Sequence, residues 1–170
     1  MARRIGQARQ QSEFGAVHSA RLRRGAAHER QSARGHGRGE RDIGSARFGF
    51  PTCWDQWFPE VARSYALLGA DVIVYPTAIG SEPNHPGFDT EPLWEHVIRG
   101  NGITNGTFMV AVNRIGTETM DGTAITFYGS SFIADSTGGK VAEAGRDSET
   151  VLTATFDLDQ LRVQRHAWGV

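Results

Sequence analysis

The sequence predicts an α/β (α+β) fold built on a mixed sheet. Strands alternate with helices in the first half, and antiparallel strands follow in the second. Two observations predict it. Residues 48–76 read as a strand–helix–strand unit, which implies parallel strands. Residues 126–144 read as two strand segments around a turn, which favours antiparallel pairing. The length of 170 residues suits one domain, and no run of about 18 apolar residues is present to span a membrane.

Residues 1–46 are predicted to form a disordered, Arg/Gly-rich arm before a folded part at residues 47–170. Residues 1–47 carry eleven arginines against four acidic residues, a net charge of +7, whereas the remainder carries −8. Their few large apolar side chains cannot bury enough surface to offset the entropy of ordering. Three origins stay open: a nucleic-acid-binding arm, a targeting peptide, and a frame or start-site artefact. We favour the artefact, because seventeen arginines against one lysine indicate GC-rich coding.

The first ordered elements follow from apolar spacing and prolines. Residues 48–53 predict a short strand, which Pro51 would bend or restrict to a sheet edge. Pro59 suits the first turn of a helix, whose apolar positions follow at helical spacing before Gly69 ends it: Val61, Tyr65 and Leu68. Residues 71–76 predict a buried strand.

A long loop and the remaining elements follow. Residues 77–91 predict a loop of a length that is often functional. A helix is predicted at residues 92–103 with Thr90 as its N-cap, and Asp157 is predicted to cap a last helix at residues 158–168. The remaining predicted strands are residues 108–112, 126–134, 140–144 and 151–156, the middle two joined by a turn at 136–139.

Cys53 is the candidate nucleophile. It lies where the first predicted strand meets the first helix, on a sharp turn like the nucleophile elbow of hydrolases. Unpaired N–H groups at a helix start would favour the thiolate form. A buried structural cysteine is the alternative, because free cysteine is among the most buried residue types. As the only cysteine, it excludes a disulfide framework and a four-cysteine zinc site.

Five separate segments carry a family resemblance. They are Cys-Trp-Asp-Gln-Trp-Phe-Pro-Glu at 53–60, Tyr-Pro-Thr-Ala-Ile-Gly-Ser-Glu-Pro at 75–83, Asn-Arg-Ile-Gly-Thr-Glu at 113–118, Phe-Tyr-Gly-Ser-Ser-Phe-Ile-Ala-Asp at 127–135 and Gln-Arg-His-Ala-Trp-Gly at 164–169. In this order they resemble the nitrilase, or carbon–nitrogen hydrolase, superfamily, and most closely its N-carbamoylputrescine amidase branch. The resemblance covers residues 47–170. It implies a partial α-β-β-α sandwich of the nitrilase type.

The resemblance also implies a reaction. Cys53 would attack an amide, nitrile or carbamoyl carbon to form a thioester, ammonia would leave, and water would hydrolyse the acyl-enzyme. The backbone N–H of Trp54 is implied as an oxyanion donor. The family supplies a Glu base and a Lys, both upstream of the nucleophile. The favoured substrate is N-carbamoylputrescine, of polyamine biosynthesis, with β-ureidopropionate or another ureido acid as the second choice. No cofactor and no metal are expected.

The sequence departs from the family pattern before the nucleophile. No lysine precedes Cys53, and the single Lys140 lies in a predicted hairpin, where a solvated turn residue is expected. Three glutamates precede Cys53, but none ends an apolar strand and none is assigned the base role: Glu13, Glu29 and Glu40. Pro51 also stands where the family has a small or aliphatic residue. The chain is therefore expected to be the C-terminal part of such a domain, its front half lost or misread; the alternative is a non-catalytic remnant or a partner of an intact amidase.

Four further side chains are candidates for the site. Glu60 would orient it from the first turn of the helix, or merely compensate the helix N-terminus. Glu82 and Glu118 would meet a cationic substrate tail such as a diamine, or remain exposed loop acids. Tyr128 would line the pocket, with core packing as the alternative. The expected partners are a small carbamoyl or amide substrate and, as in the intact family, further copies of the chain; membrane and nucleic acid are not expected, and the expected location is cytoplasmic.

Overall fold

The protein is described by a computed structural model over residues 40–170. Its strands are β1 (Glu40–Ile43), β2 (Ala46–Gly49), β3 (Val72–Thr77), β4 (Phe108–Asn113), β5 (Ile115–Met120), β6 (Thr123–Tyr128), β7 (Phe132–Ala134) and β8 (Lys140–Glu143). Its helices are α1 (Pro59–Leu67), α2 (Glu91–Asn105) and α3 (Leu158–Trp168), and a short 3₁₀ helix, named here the 3₁₀ turn, covers Cys53–Trp57. No helix in this part of the chain is long and apolar enough to cross a membrane.

Six strands form one mixed sheet in the order β1-β2-β3-β4-β7-β8, and β5 pairs with β6 in a separate ribbon. β2, β3 and β4 run parallel, whereas β1, β7 and β8 pair antiparallel to their neighbours. α1 and α2 are the crossovers that parallel pairing requires. The predicted fold class and mixed sheet are confirmed. Because parallel strands end at the same edge, the carboxyl ends of β2, β3 and β4 lie together, and the 3₁₀ turn follows the first of them.

The two faces of the sheet bury different clusters. On one face, Trp94 and Ile98 of α2 belong to a cluster with Tyr75 of β3 and with α1. On the other face, α3 and the segment before it pack on the strands, and Phe156 stacks on Phe108 with ring centroids 3.9 Å apart. Three strand side chains packed against this second cluster stay only partly buried: Phe48, Val74 and Val112.

The sheet begins earlier than the predicted boundary at residue 47. Residues 40–43 form β1, which pairs antiparallel with β2 from Glu40 opposite Gly49 to Ile43 opposite Ala46. Gly44, with a φ of +66°, closes the turn between the two strands. Strand pairing therefore orders a segment whose apolar content is low, and the prediction of disorder was wrong for residues 40–46. The rest of the predicted arm, residues 1–39, lies outside the described residues.

Two predicted strands are shorter or divided. β2 ends at Gly49 rather than at residue 53, because Pro51 has no N–H to continue a ladder. The predicted strand at residues 126–134 is the end of β6 plus β7, separated by Gly129 and Ser130, both with positive φ. The predicted hairpin around residues 136–139 is confirmed, because β7 pairs antiparallel with β8.

The strand predicted at residues 151–156 was wrong, although its burial does alternate. Leu152 and Phe156 are buried, whereas Val151, Thr153 and Thr155 are exposed. No ladder forms within this segment, because its apolar side chains pack flat against the second face of the sheet instead of joining its edge.

The helices match the predictions except at one cap. Asp157 caps α3, its carboxylate accepting the N–H groups of Asp159 and Gln160 at 3.0 Å. Thr90 makes no such bond with its side chain; instead its carbonyl accepts the Trp94 N–H at 3.0 Å. Thr90 already has helical backbone angles, which place its hydroxyl away from the N–H groups that a cap serves.

Candidate active site

Cys53 is the first residue of the 3₁₀ turn, directly beyond β2. Its backbone φ of +42° lies in the left-handed region, which costs a non-glycine residue about 1–3 kcal/mol. Its side chain is half-buried and packs against the cluster beneath α1 and α2. A strained turn that holds a thiol just past the end of a strand is the geometry of a nucleophile elbow.

The helix after Cys53 begins at Pro59 as predicted, but the expected position of the thiol at its N-terminus was wrong. The 3₁₀ turn comes between them because Asp55 closes it. The Asp55 carboxylate accepts the N–H of Thr52 at 2.8 Å, and the Asp55 N–H donates to the Thr52 carbonyl at 2.9 Å.

The Trp54 N–H points to no acceptor in the part of the chain that the structure describes. It is therefore available to an oxyanion, and its role as oxyanion donor stays a prediction. The Trp54 side chain is 63% exposed and lies against Trp57, with ring centroids 6.0 Å apart. Both rings belong to the same 3₁₀ turn as Cys53.

Gln56 fixes the underside of the 3₁₀ turn to α2. Its side chain is fully buried, and its Oε1 accepts the indole N–H of Trp94 at 3.1 Å. Its backbone carbonyl accepts the side-chain amide of Asn101 at 2.9 Å. Sequence reasoning missed these residues; the one available signal was that Trp94 and Asn101 lie seven residues apart, on the same face of a helix.

Asn113 holds the loops at the same edge of the sheet. Its Oδ1 accepts from the Thr77 hydroxyl and the Ile79 N–H, and its Nδ2 donates to the Ile79 carbonyl, each at 2.9 Å. Ser131 completes the junction by accepting the Asn113 N–H at 2.9 Å. Sequence reasoning assigned Asn113 only to a family motif, and its role as the hub of this edge was not foreseen.

Three buried donor groups near the 3₁₀ turn have no hydrogen-bond partner among residues 40–170: Gln56 Nε2, Trp57 Nε1 and the Tyr75 hydroxyl. Burial raises the pKa of Tyr75 above its ordinary value, and the charge of Asp55 raises it further, so the hydroxyl stays protonated. Buried donors are almost always paired in proteins. We therefore expect their acceptors to come from outside the described residues or from bound molecules.

Glu60 lies in the first turn of α1, and its side chain is exposed. Its carboxylate forms no ion pair or hydrogen bond with another described residue. It lines a cavity of about 250 Å³ together with Glu40, Ser64 and Tyr65, on the α1 side of the turn. No contact joins it to Cys53, so its orienting role stays a prediction.

Tyr128 is buried in the same cluster against which Cys53 packs, and its ring meets Trp94 edge-on at 5.7 Å. Burial raises the pKa of Tyr128, and the charge of Glu82 contributes in the same direction. Glu82 therefore lies within electrostatic range of this ring. Its own carboxylate has no cationic partner among residues 40–170, which leaves it available to a cationic ligand.

Glu118 lies on β5 and pairs with Arg114 at 2.6 Å, so its charge is already compensated. Lys140, expected to be a solvated turn residue, instead opens β8 and pairs with Glu95 of α2 at 2.9 Å and with Glu143. Neither side chain is a free charge at the site. Of the two acids proposed for a substrate cation, Glu82 is the one without a partner.

Gly80 holds the loop that carries Glu82 against β6. A Cβ on Gly80 would lie 2.3 Å from the carbonyl oxygen of Thr126, on the backbone that Gly80 bridges. We expect Gly80→Ala to lower the free energy of unfolding by about 1–3 kcal/mol, because the β6 backbone at Thr126 cannot move aside without disturbing its strand pairing. Urea denaturation measures the loss. Gly87→Ala is the matched control on the same loop, since its Cβ would meet no atom within 4 Å; an equal loss in both variants would contradict this account.

Comparison with known proteins agrees with this geometry. A family model described as carbon-nitrogen hydrolase matches residues 14–166. The N-carbamoylputrescine amidase of Solanum tuberosum is 52% identical over 129 residues, covering 74% of this chain and 43% of that protein. The citrullinase of Francisella tularensis is 49% identical over 129 residues, covering 76% and 45%. The crystal structure of a carbon-nitrogen hydrolase from Helicobacter pylori G27 is 36% identical, with a TM-score of 0.63, covering 74% of this chain and 45% of that one.

The chain thus spans less than half the length of these curated relatives. The matched region nevertheless includes the whole described part up to His166, with Cys53, the Asn113 junction and both helical crossovers. The chain belongs to the carbon–nitrogen hydrolase family.

Proposed function

We propose that the site cleaves a non-peptide carbon–nitrogen bond of a linear carbamoyl or amide substrate, with Cys53 as nucleophile. The observation that carries the proposal is the left-handed turn that holds Cys53 at the carboxyl edge of the parallel strands. Ligands of open α/β sheets bind outside this edge. Family membership supports the same reaction class.

The proposed reaction has two stages. The Cys53 thiolate attacks the carbonyl carbon and a C–S bond forms; the C–N bond then breaks as the nitrogen takes up a proton and leaves as ammonia. Water attacks the resulting thioester, or thiocarbamate for a carbamoyl substrate, the C–S bond breaks and the sulfur takes up a proton. For a carbamoyl substrate the carbamic acid formed then loses CO₂ to release the amine. The Trp54 N–H is proposed to stabilise the oxyanion in both stages.

The proposed substrate has a cationic tail, as N-carbamoylputrescine does. Two features support it: the unpaired carboxylate of Glu82 near Tyr128, and the names of relatives about half identical to the chain. A ureido acid such as β-ureidopropionate carries a carboxylate instead, which Glu82 would repel. A Glu82→Gln variant should therefore reduce any preference of the site for N-carbamoylputrescine over β-ureidopropionate, measured as the ratio of ammonia release from the two substrates.

A base and a cation are needed to complete turnover, and the described residues place neither beside Cys53. The unpaired donors of Gln56, Trp57 and Tyr75 indicate where acceptor groups would dock. The alternative function, a non-catalytic remnant or a partner of an intact amidase, is favoured by one observation. No lysine precedes Cys53 in this sequence.

An activated ester tests the role of Cys53 without requiring a base or an acid. The p-nitrophenolate of p-nitrophenyl acetate leaves without needing a proton, so a positioned thiol should be acylated even if later steps are slow. We expect a burst of about one p-nitrophenolate per chain, with the acetyl group located on Cys53 by mass spectrometry. Cys53→Ala should show no burst. Acylation no faster than that of the urea-unfolded chain would show that Cys53 is an ordinary thiol and overturn the proposal.

A further inference from the structure

The 3₁₀ turn that carries Cys53 is anchored by α2 at two points. Trp94 Nε1 donates to Gln56 Oε1 at 3.1 Å, and Asn101 Nδ2 donates to the Gln56 carbonyl at 2.9 Å. Both donors lie on one face of α2, two turns apart. Both acceptors belong to Gln56, whose side chain is fully buried. The pair therefore fixes both the backbone and the side chain of one residue, three positions after Cys53.

The turn needs such an external constraint. A non-glycine residue in the left-handed region persists only where its surroundings over-determine it. The other side-chain bond at the turn, from Thr52 to Asp55, is local and would move with it. Among residues 40–170, the two bonds from α2 are the side-chain hydrogen bonds that join the turn to a separate, buried element.

We propose that Asn101, assisted by Trp94, is a positioning residue that holds Cys53 in its left-handed conformation through Gln56. The inference rests on the proposed function in that Cys53 is the nucleophile. Asn101 acts at a distance from the chemistry: it lies under the turn and contacts its backbone, and its loss would let the turn relax toward ordinary backbone angles. Relaxation would carry the thiol away from the carboxyl edge of the strands.

Asn105 provides a matched control. It is also a buried asparagine of α2, one turn further along the helix. Its Nδ2 donates to the Asn101 carbonyl at 2.9 Å, and its Oδ1 accepts from Arg63 at 3.4 Å. Neither bond reaches the 3₁₀ turn. Asn105→Leu therefore removes a buried amide from the same helix while leaving both hydrogen bonds to Gln56 in place.

Hydrogen exchange separates positioning from general stability. The amides of Asp55 and Phe58 donate within the turn, to Thr52 and Asp55 carbonyls at 2.9 and 3.1 Å, and report its closure. In Asn101→Leu we expect these two amides to exchange about tenfold faster relative to β3 and β4 amides, the equivalent of one lost hydrogen bond. The p-nitrophenyl acetate burst should slow by a similar factor. Asn105→Leu should change neither the relative exchange rate of the turn nor the rate of the burst, even if it lowers the free energy of unfolding as much as Asn101→Leu does.

A conservative variant gives a pH-dependent rescue. The carboxyl of Asn101→Asp can donate to the Gln56 carbonyl only when protonated, and burial keeps it protonated to higher pH than usual. We compare the exchange rate of the turn amides in Asn101→Asp with that in Asn105→Asp. The ratio of the two rates should be near one at about pH 4 and near ten at about pH 8. If Asn101 were only a structural residue, this ratio would not change with pH.

The outcomes separate this inference from the proposed function. Equal acceleration of the turn in the Asn101→Leu and Asn105→Leu variants, or an intact turn in Asn101→Leu, would overturn the positioning role. A missing burst in the unaltered chain would sink the function of Cys53, while the exchange data would still show whether α2 holds the turn. A slowed burst together with selective opening of the turn supports both.

Discussion

The purified chain is expected to release ammonia from N-carbamoylputrescine more slowly than a full-length relative does. The expected difference in rate is on the order of 10⁴–10⁷. The reason is that the described residues, 40–170, place no base and no cation beside the thiol. General acid–base help is worth about 10²–10⁴ in rate, and one oxyanion donor about 10²–10³. No lysine precedes Cys53, and no described carboxylate forms a hydrogen bond with its thiol; the nearby Asp55 carboxylate accepts the Thr52 N–H instead.

Ammonia poses a harder demand than an activated ester does. Nitrogen leaves an amide only after it is protonated, so acylation by N-carbamoylputrescine needs an acid that p-nitrophenyl acetate does not need. The expected signature is therefore a burst with the ester and near-background ammonia release with the carbamoyl substrate. An enzyme-coupled assay on the same preparation measures the ammonia release.

Cys53→Ala is the control for this prediction. Ammonia release at the rate of a full-length relative, abolished in Cys53→Ala, would contradict the expected deficit. It would mean that a base and a cation reach the thiol from residues 1–39 or from a neighbouring chain. Equal, near-background rates in both proteins agree with the prediction and leave the ester burst as the measure of the site.

The sequence predicted those parts of the fold that local patterns specify. Asp157 is an N-cap because its carboxylate serves the N–H groups of its own helix, a contact within three residues. The β5–β6 ribbon was equally local and was missed. Asp121 and Gly122 both have positive φ, as a two-residue hairpin turn requires, and Asp-Gly between alternating residues is its usual signal.

Long-range partners explain the other differences. The alternation of residues 151–156 correctly marks the buried side of that segment, with Phe156 on Phe108. Alternation identifies a face but does not identify a hydrogen-bonding neighbour, so it could not show that the segment lies on the sheet rather than in it. The support of Cys53 has the same character, because Gln56 meets Trp94 and Asn101 across 38 and 45 residues.

Replacing Arg165 by methionine is expected to lower the free energy of unfolding by about 3–5 kcal/mol, the cost of breaking a buried ion pair from one side. The guanidinium donates to Asp71 Oδ1 at 3.3 Å, to the Ala70 carbonyl at 2.6 Å and to the Gly106 carbonyl at 2.7 Å. Burial lowers the pKa of Arg165 and Asp71 opposes that effect, but an arginine stays protonated. Without it, the Asp71 side chain, which is only 5% exposed, loses its buried cationic partner.

Two further variants separate charge from packing. Combining Asp71→Asn with Arg165→Met also removes the buried carboxylate that Arg165 pairs with, and should recover part of the loss. Arg162→Met is the surface control: Arg162 is half-exposed and lies 3.9 Å from Asp71, so its loss should cost under about 1 kcal/mol. Urea denaturation measures the stability of all three variants, and equal losses for Arg162→Met and Arg165→Met would refute the buried pair.

The contacts of Arg165 lie at the edge of the sheet opposite Cys53, because Asp71 and Gly106 precede β3 and β4. The folded Arg165→Met variant should therefore keep an unchanged ester burst.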